Sequence, residues 1–316
     1  MLIFHGVHIA HPCDGCSESA AKPVARCVVG VMPRYSIMEY NHCHTPFFGE
    51  CAVDKSRQFT QELEWSNYAR TAYFATVVPG VEVNISNEVI LITDPEVPLV
   101  DSNHAAMLRT TPDRADALIE RIVKHFQDRG LKPYVVLSPN CTPDDLSQRL
   151  EAHGFTQYGD PEHWLTLKKP FYAEAIRGSS KVTVREIGVE GIPDFCRVMV
   201  AAYDMPEEAV SILDHNFRYI NDLPGIHNYV AYVNGEPVGC ASMFSYLGYG
   251  ALGSMGMLPG VRHTGAVFAL AARGYQDWKK DGNKVMVFQT VLPRMERMLR
   301  IGGCERVFTC RYYVLE

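Results

Sequence analysis

Strand-like alternation and helix-like spacing of apolar residues take turns along most of this chain, beginning near residue 59. Before residue 58 neither period is sustained, so residues 1–58 read as a leader of uncertain order. The pattern then predicts a helix over 61–73, a pair of strands over 81–85 and 89–92, and a short strand over 104–109. Thr111 and Pro112 mark the entry to a helix over 115–129, which Gly130 ends. A buried-type strand over 134–137, a helix over 143–153 and a strand over 164–167 complete this half. Residues 169–181, with Pro170 and a run of small and charged residues, read as a linker. The second half predicts a strand over 182–187, helices over 192–202 and 207–217, and a strand over 228–233. Asn234-Gly235 is a two-residue hairpin turn into a strand over 238–246. A strand over 250–257, a helix over 264–280, a strand over 285–290, a helix over 293–301 and a strand over 307–314 follow.

The two halves align with each other. Phe126-Gln127-Asp128 falls on Tyr275-Gln276-Asp277, Tyr134 to Leu137 on Val285 to Phe288, and Gly154 on Gly303. The offset is far longer than a solenoid repeat and points to a duplicated domain. Strands alternating with helices give an α/β (α+β) fold, with a mixed sheet covered by helices in each copy. The expected organisation is a leader over 1–58, one domain over 59–170 and a second over 181–316.

Composition narrows the partners. The chain has 316 residues, 47% hydrophobic content and a formal net charge of -6, without a basic, aromatic-interleaved block, so nucleic acid is not an expected partner. No run approaches the ~18 apolar residues of a membrane span, and the start of the chain lacks a basic signal region. Ten cysteines in a chain this long are too dilute for a disulfide scaffold, which makes a reducing cytoplasmic setting the default. Five of them, Cys13, Cys16, Cys27, Cys43 and Cys51, share the leader with His8, His11, His42 and His44. Cys13 and Cys16 have zinc-knuckle spacing, but a second tight pair is missing, so a zinc site and simple reduced cysteines both stay open.

The residues from Met257 to Val267 leave a strand and enter a helix. A loop in that position aims backbone N–H groups and a helix N-terminus at an anion. Arg262 adds positive charge there, and Gly265 lets the backbone come close.

With that loop, the hairpin turn before it and the strand–helix–glycine order after it, residues 181–316 resemble the GNAT superfamily of acyl-CoA-dependent N-acyltransferases. The family loop reads approximately V-x-P-x-x-R-x-x-G-x-G/A, and Met257, Pro259, Arg262, Gly265 and Val267 fall in its slots. Met257 stands for the usual Val, and Val267 for a small residue. The resemblance implies that Arg262, His263, Thr264, Gly265, Ala266 and Val267 hold the CoA pyrophosphate. It implies that the backbone of Met255, Gly256 and Met257 takes the pantetheine arm. Acetyl-CoA is the expected co-substrate and a primary amine of a small molecule or peptide the expected acceptor, with direct transfer between them. In the first copy Pro112 falls on Arg262, Ala115 on Gly265 and Asp116 on Ala266; Pro112 removes a donor and Asp113 and Asp116 add negative charge, which also suits a helix N-terminus, so that copy is expected to be degenerate.

Acyl transfer also calls for an acid at the leaving thiolate. The family's usual Tyr falls on Leu299, so the catalytic acid is not assigned. Tyr246, Tyr249, Ser254, Tyr312 and Tyr313 stand on strands near the expected cleft. Cys240 and Cys310 have no partner His pattern and read as inert strand cysteines. Asp204, Glu207 and Glu208 lie near the expected acceptor side, where a solvated helix start accounts for them equally well. A non-catalytic CoA-binding sensor or interaction module is the alternative, motivated by the missing Tyr.

Overall fold

A computed structural model describes residues 55–97, 99–169, 182–261 and 264–316. The Cys/His-rich leader with its zinc reading, the linker over 170–181, Arg262 and His263 lie outside the described residues.

The first half runs α1 (Lys55–Ala75), β1 (Glu82–Ile85), β2 (Ile90–Thr93), β3 (His104–Ala106), α2 (Ala115–Gln127), β4 (Tyr134–Leu137), α3 (Leu146–Ala152) and β5 (Thr156–Leu167). The second half runs β6 (Val182–Glu186), α4 (Ile192–Ala202), α5 (Ala209–Ile220), β7 (Ile226–Val233) and β8 (Glu236–Tyr246). It continues with β9 (Tyr249–Met257), α6 (Ala266–Lys280), β10 (Val285–Thr290), α7 (Pro293–Ile301) and β11 (Cys304–Val314). Local chemistry explains the breaks. Asn234 and Gly235 both adopt positive φ (53 and 89°), as the tight turn between β7 and β8 requires. Leu118, Ile119, Ile122 and Phe126 line one side of α2 and are buried, so burial of that stripe holds the helix on the sheet. No helix among the described residues is long and apolar enough to cross a membrane.

All eleven strands form one sheet in the order β1-β2-β3-β4-β11-β5-β10-β9-β8-β7-β6. Adjacent strands are antiparallel except for β3 with β4 and β9 with β10, one parallel pair in each half. The halves join by exchanging their last strands. β5, from the first half, pairs with β10, whereas β11, from the second, pairs with β4; between them β5 and β11 pair with each other. Neither half therefore completes its sheet without the other.

Helices cover both faces. One face packs α6 through Ala266, Leu270 and Tyr275 onto Tyr229, Ala241, Met243 and Leu252. On the opposite face, α4 and α5 bury Phe195, Met199, Leu213 and Phe217 with Val230, Cys240 and Phe244. α1 reaches both cores of that face, with Leu63 and Tyr68 against Trp164, Val287 and Phe308, and Phe74 against the α4–α5 core.

Candidate active site

β9 is paired on both sides only over its first residues. On the β10 side the register covers Tyr249, Gly250 and Ala251 against Val285, Met286 and Val287. Beyond Ala251 the two strands diverge: β10 goes on pairing with β5, while β9 stays with β8. The result is a wedge, with the backbone from Leu252 to Met257 along one wall. In that wall the register against β8 shifts between Ser242↔Gly253 and Cys240↔Gly256, so Ser254 and Met255 together oppose one residue. Ser254 takes φ 49°, which marks the bulge. Side chains pin it: the Tyr203 hydroxyl donates to the Met255 carbonyl at 3.0 Å, and the Cys240 thiol donates to the Ser254 carbonyl at 3.4 Å.

At the end of β9 the Leu258 N–H still donates to the Val238 carbonyl, and Gly260 (φ 84°) turns the chain. Thr264 donates through both its N–H and its hydroxyl to the Val261 carbonyl, at 3.0 and 2.7 Å, which closes the loop before α6. Gly265 caps α6 in the left-handed region, φ 81° and ψ 5°. A Cβ there would meet no atom of the described residues within 4 Å. The first turn of α6 carries no acid, leaving the positive end of its dipole uncompensated by side chains. α6 sits close on β9, since a Cβ on Gly274 would come within 2.7 Å of Leu252.

The corresponding wedge of the first half is laced shut. Met107 (φ 53°) follows β3 as Ser254 marks β9, but next to it the Thr142 N–H donates to the Leu108 carbonyl at 2.9 Å. The Thr110 N–H then donates to the Thr142 carbonyl at 3.2 Å, and Arg109 bridges Thr142 in parallel fashion. Asp116 in the first turn of α2 is held by Arg149 at 2.7 Å and His153 at 3.3 Å.

The sequence-derived candidates separate in space. Met255, Gly256 and Met257 line the wedge wall, and Thr264, Gly265, Ala266 and Val267 form the α6 start. Ser254 is buried at the bulge. Tyr246 and Tyr249 face α1: Tyr246 stacks on Tyr73 at 5.6 Å, and the Tyr249 hydroxyl donates to Glu62 at 3.3 Å. Burial pushes the Tyr249 phenol above its ordinary range, and the adjacent Glu62 carboxylate adds to this. Tyr312 does not border the wedge, contrary to expectation. It sits on β11 against β4 and β5, donates to Glu162 at 3.1 Å and is buried in the junction core, as is its neighbour Tyr313 in the first-half core. Cys240 and Cys310 are fully buried, and burial raises both thiols, to about 12 for Cys240, which makes them poor nucleophiles. Leu299 lies half-buried on α7.

Two features had no sequence signal. The first is Tyr203, just past the end of α4, whose hydroxyl reaches the bulge; burial raises it strongly. The second is a narrow crevice at the vertex of the wedge on the α1 side, about 10 Å³, room for no more than a single water. Leu63, Ser66, Asn67 and Arg70 of α1 face Trp164, Tyr246, Tyr249, Ala251, Val287 and Gln289 across it. Both halves thus line this crevice, the first through α1 and Trp164 and the second through the other residues. A wider cleft around α7, lined by Glu296, Arg297, Arg300 and Glu305, contains no residue of β9 or α6.

On the far face, Glu186, His227 and Asp277 bring potential ligand atoms within 4.8 Å of one another. Arg273 already fills the cation's role, with Nη2 2.6 Å from Glu186 and Nε 2.7 Å from Asp277. The cluster is an ion-pair network that fastens α6 to β6 and β7. Burial opposes charge on His227, but Glu186 at 2.7 Å and Asp281 at 3.1 Å outweigh it and raise its pKa. A raised folded-state pKa adds stability that is complete below the unfolded value of ~6.5 and disappears as pH rises through the folded value. Comparing thermal melts of the wild type and His227→Gln from pH 5.5 to 8.5, we expect the gap between them to be largest at the acidic end and to close towards the alkaline end. A constant gap would show that His227 contributes by packing alone.

Neither a protein-family model nor a curated protein sequence matches the chain. Solved structures do match its fold. A GCN5-related N-acetyltransferase from Kribbella flavida superposes with a TM-score of 0.60 at 15% identity, over 83% of this chain and 96% of its own. A tandem GNAT protein from the clavulanic acid biosynthesis pathway gives 0.56 at 12% identity, over 84% and 96%. A conserved protein of unknown function from Staphylococcus epidermidis gives 0.57 at 16% identity, over 76% and 95%. The chain therefore has a GNAT-superfamily fold.

Proposed function

We propose that this chain is an acyl-CoA-dependent N-acyltransferase with one working site, which moves an acetyl group from acetyl-CoA directly to a primary amine. The observation that carries the proposal is the wedge between β9 and β10 ending on the acid-free start of α6, where a Cβ on Gly265 meets no described atom. The residues fit the co-substrate. The unpaired edge at Met255, Gly256 and Met257 offers strand-like hydrogen bonds to an extended amide-bearing arm. Thr264, Gly265, Ala266 and Val267 offer helix N-terminal amides to a pyrophosphate, with Arg262 and His263 next to them in the chain.

Acetyl-CoA supplies the activated thioester; the protein orients and polarises. The wedge backbone near the bulge is placed to hold the thioester carbonyl, and the Tyr203 hydroxyl fixes the peptide at Met255. The Tyr249 phenol, kept protonated by burial and backed by Glu62, is our candidate for handling a proton at the crevice. Tyr246 flanks it and shapes the wall; Ser254 forms the bulge. We assign no transfer role to Tyr312.

Leu299 in place of the family's acid supports a second reading, a CoA-binding sensor. A thiol-release assay with acetyl-CoA over an amine panel separates the two. Release of CoA thiol that depends on an amine is the result expected of the enzyme, whereas saturable acetyl-CoA binding without amine-dependent release identifies the sensor.

A further inference from the structure

The wedge has a direction. With the pyrophosphate at the start of α6 and the pantetheine arm along Met257 to Met255, the thioester end of a bound acyl-CoA points down the wedge, towards Ala251 and Val287. There the two strands are paired, ~4.8 Å apart, which leaves no room for a chain between them. An acyl group that outgrows the wedge therefore has to leave the sheet on one face. The α6 face is filled, because Leu252 and Met286 are buried beneath α6 and a Cβ on Gly274 would come within 2.7 Å of Leu252. On the α1 face, Ala251 and Val287 lead into the crevice at the vertex.

The crevice stops short. Its volume is about 10 Å³, enough for one water and hence for about one methyl group, which is of similar size. Its walls are also fixed. Leu63 of α1 is fully buried in one core with Trp164 and Val287. The Trp164 Nε1 donates to Glu162 at 2.9 Å, and the indole stacks on Phe308 with centroids 4.9 Å apart. Arg70 donates through Nη2 to the Asn67 side chain, and its guanidinium lies 5.2 Å from the Phe244 ring centre. Walls packed this closely yield to an added methylene only by strain.

We infer that Leu63 and Trp164, both from the first half, are the chain-length stop of the donor site in the second half, so that acetyl-CoA is accepted and butyryl or longer thioesters are turned away. This rests on the CoA-binding reading above and goes beyond it by naming the residues that select the donor. It also gives the first half a part in that selection. No covalent step is added, since the stop acts on binding.

The test titrates the full chain calorimetrically with acetyl-CoA, butyryl-CoA and hexanoyl-CoA, which requires no knowledge of the acceptor. Butyryl-CoA should bind at least about 10-fold more weakly than acetyl-CoA, and hexanoyl-CoA no better than butyryl-CoA. Leu63→Ala, which removes the branched end of the stop, should bring butyryl-CoA to within about threefold of acetyl-CoA in the same variant. Val287→Ala opens the crevice from the second half by a smaller step. It should shift the ratio in the same direction, and it carries the test if Leu63→Ala does not fold. Leu118→Ala makes a comparable cavity in the first-half core under α2, away from the crevice, and should keep the wild-type ratio. Equal affinity for all three thioesters in the wild type, an unchanged ratio in the variants that open the crevice, or the same change in Leu118→Ala would overturn the stop while acetyl-CoA binding still stands. Absence of acetyl-CoA binding to the wild type would instead remove the reading on which the stop rests.

Discussion

Gly265→Glu is expected to abolish acetyl-CoA binding, weakening it by at least about 100-fold, while leaving the protein folded. Gly265 holds the left-handed cap of α6, and a Cβ there meets no atom of the described residues within 4 Å. The conformational cost is ~1–2 kcal/mol, because an L-residue is disfavoured at φ 81°. The larger effect falls on the ligand: the new carboxylate would stand at the helix end proposed to hold the pyrophosphate and would repel that dianion. Titration calorimetry on the variant, with circular dichroism to confirm the fold, reads both effects. Asp116→Ala is the control from the other half. It removes an exposed ion pair with Arg149 and His153, and it should leave acetyl-CoA binding unchanged. A substantial loss in that control would place the site in the wrong half.

Phe308→Ala is expected to have the largest effect on stability. Phe308 lies on the exchanged strand β11, is 5% exposed and stacks on Trp164 of β5 with centroids 4.9 Å apart. Truncating a buried aromatic costs ~3–5 kcal/mol, a large fraction of a domain's stability. Its place at the junction makes the outcome informative. β11 completes the sheet of the first half and pairs with the exchanged strand of the first half, so the damage should spread through both. Differential scanning calorimetry should show one unfolding transition that moves down as a whole. Two transitions, with only one displaced, would mean that the halves fold independently despite the exchange.

These two sites differ in how far they could be read from the sequence. The loop from Met257 to Val267 was legible because strand, break and helix follow one another locally, and β10 and α7 appear over the predicted residues. The exchange of β5 and β11 was not legible, because register between distant strands depends on packing that no local period records. β5 itself begins at Thr156, well before the predicted start, since Gly159, Asp160 and Pro161 interrupt its alternation while its pairing with β11 continues. α1 begins at Lys55, ahead of the predicted residue 61, and carries buried polar residues such as Glu64 and Arg70, so its spacing gave no clean apolar stripe. Arg70 and Tyr203 escaped notice for a related reason. A single Arg in a polar helix and a single Tyr after a helix acquire meaning only from what they touch, here a narrow crevice and the carbonyl of a bulge.

The two halves also differ in a physical way. In the first, Thr142 bridges Leu108 and Thr110, and Asp116 serves an ion pair. The first half still supplies α1, which walls the crevice, and β5, which carries Trp164 into it. The two halves thus share one sheet through their exchanged strands, and the proposed function has them share one site.

Calorimetric titration of the full chain with acetyl-CoA tests this most directly. The account predicts saturable binding at a single site per chain, lost in Gly265→Glu and kept in Asp116→Ala. Binding at two sites per chain, or no binding to properly folded protein, would contradict it.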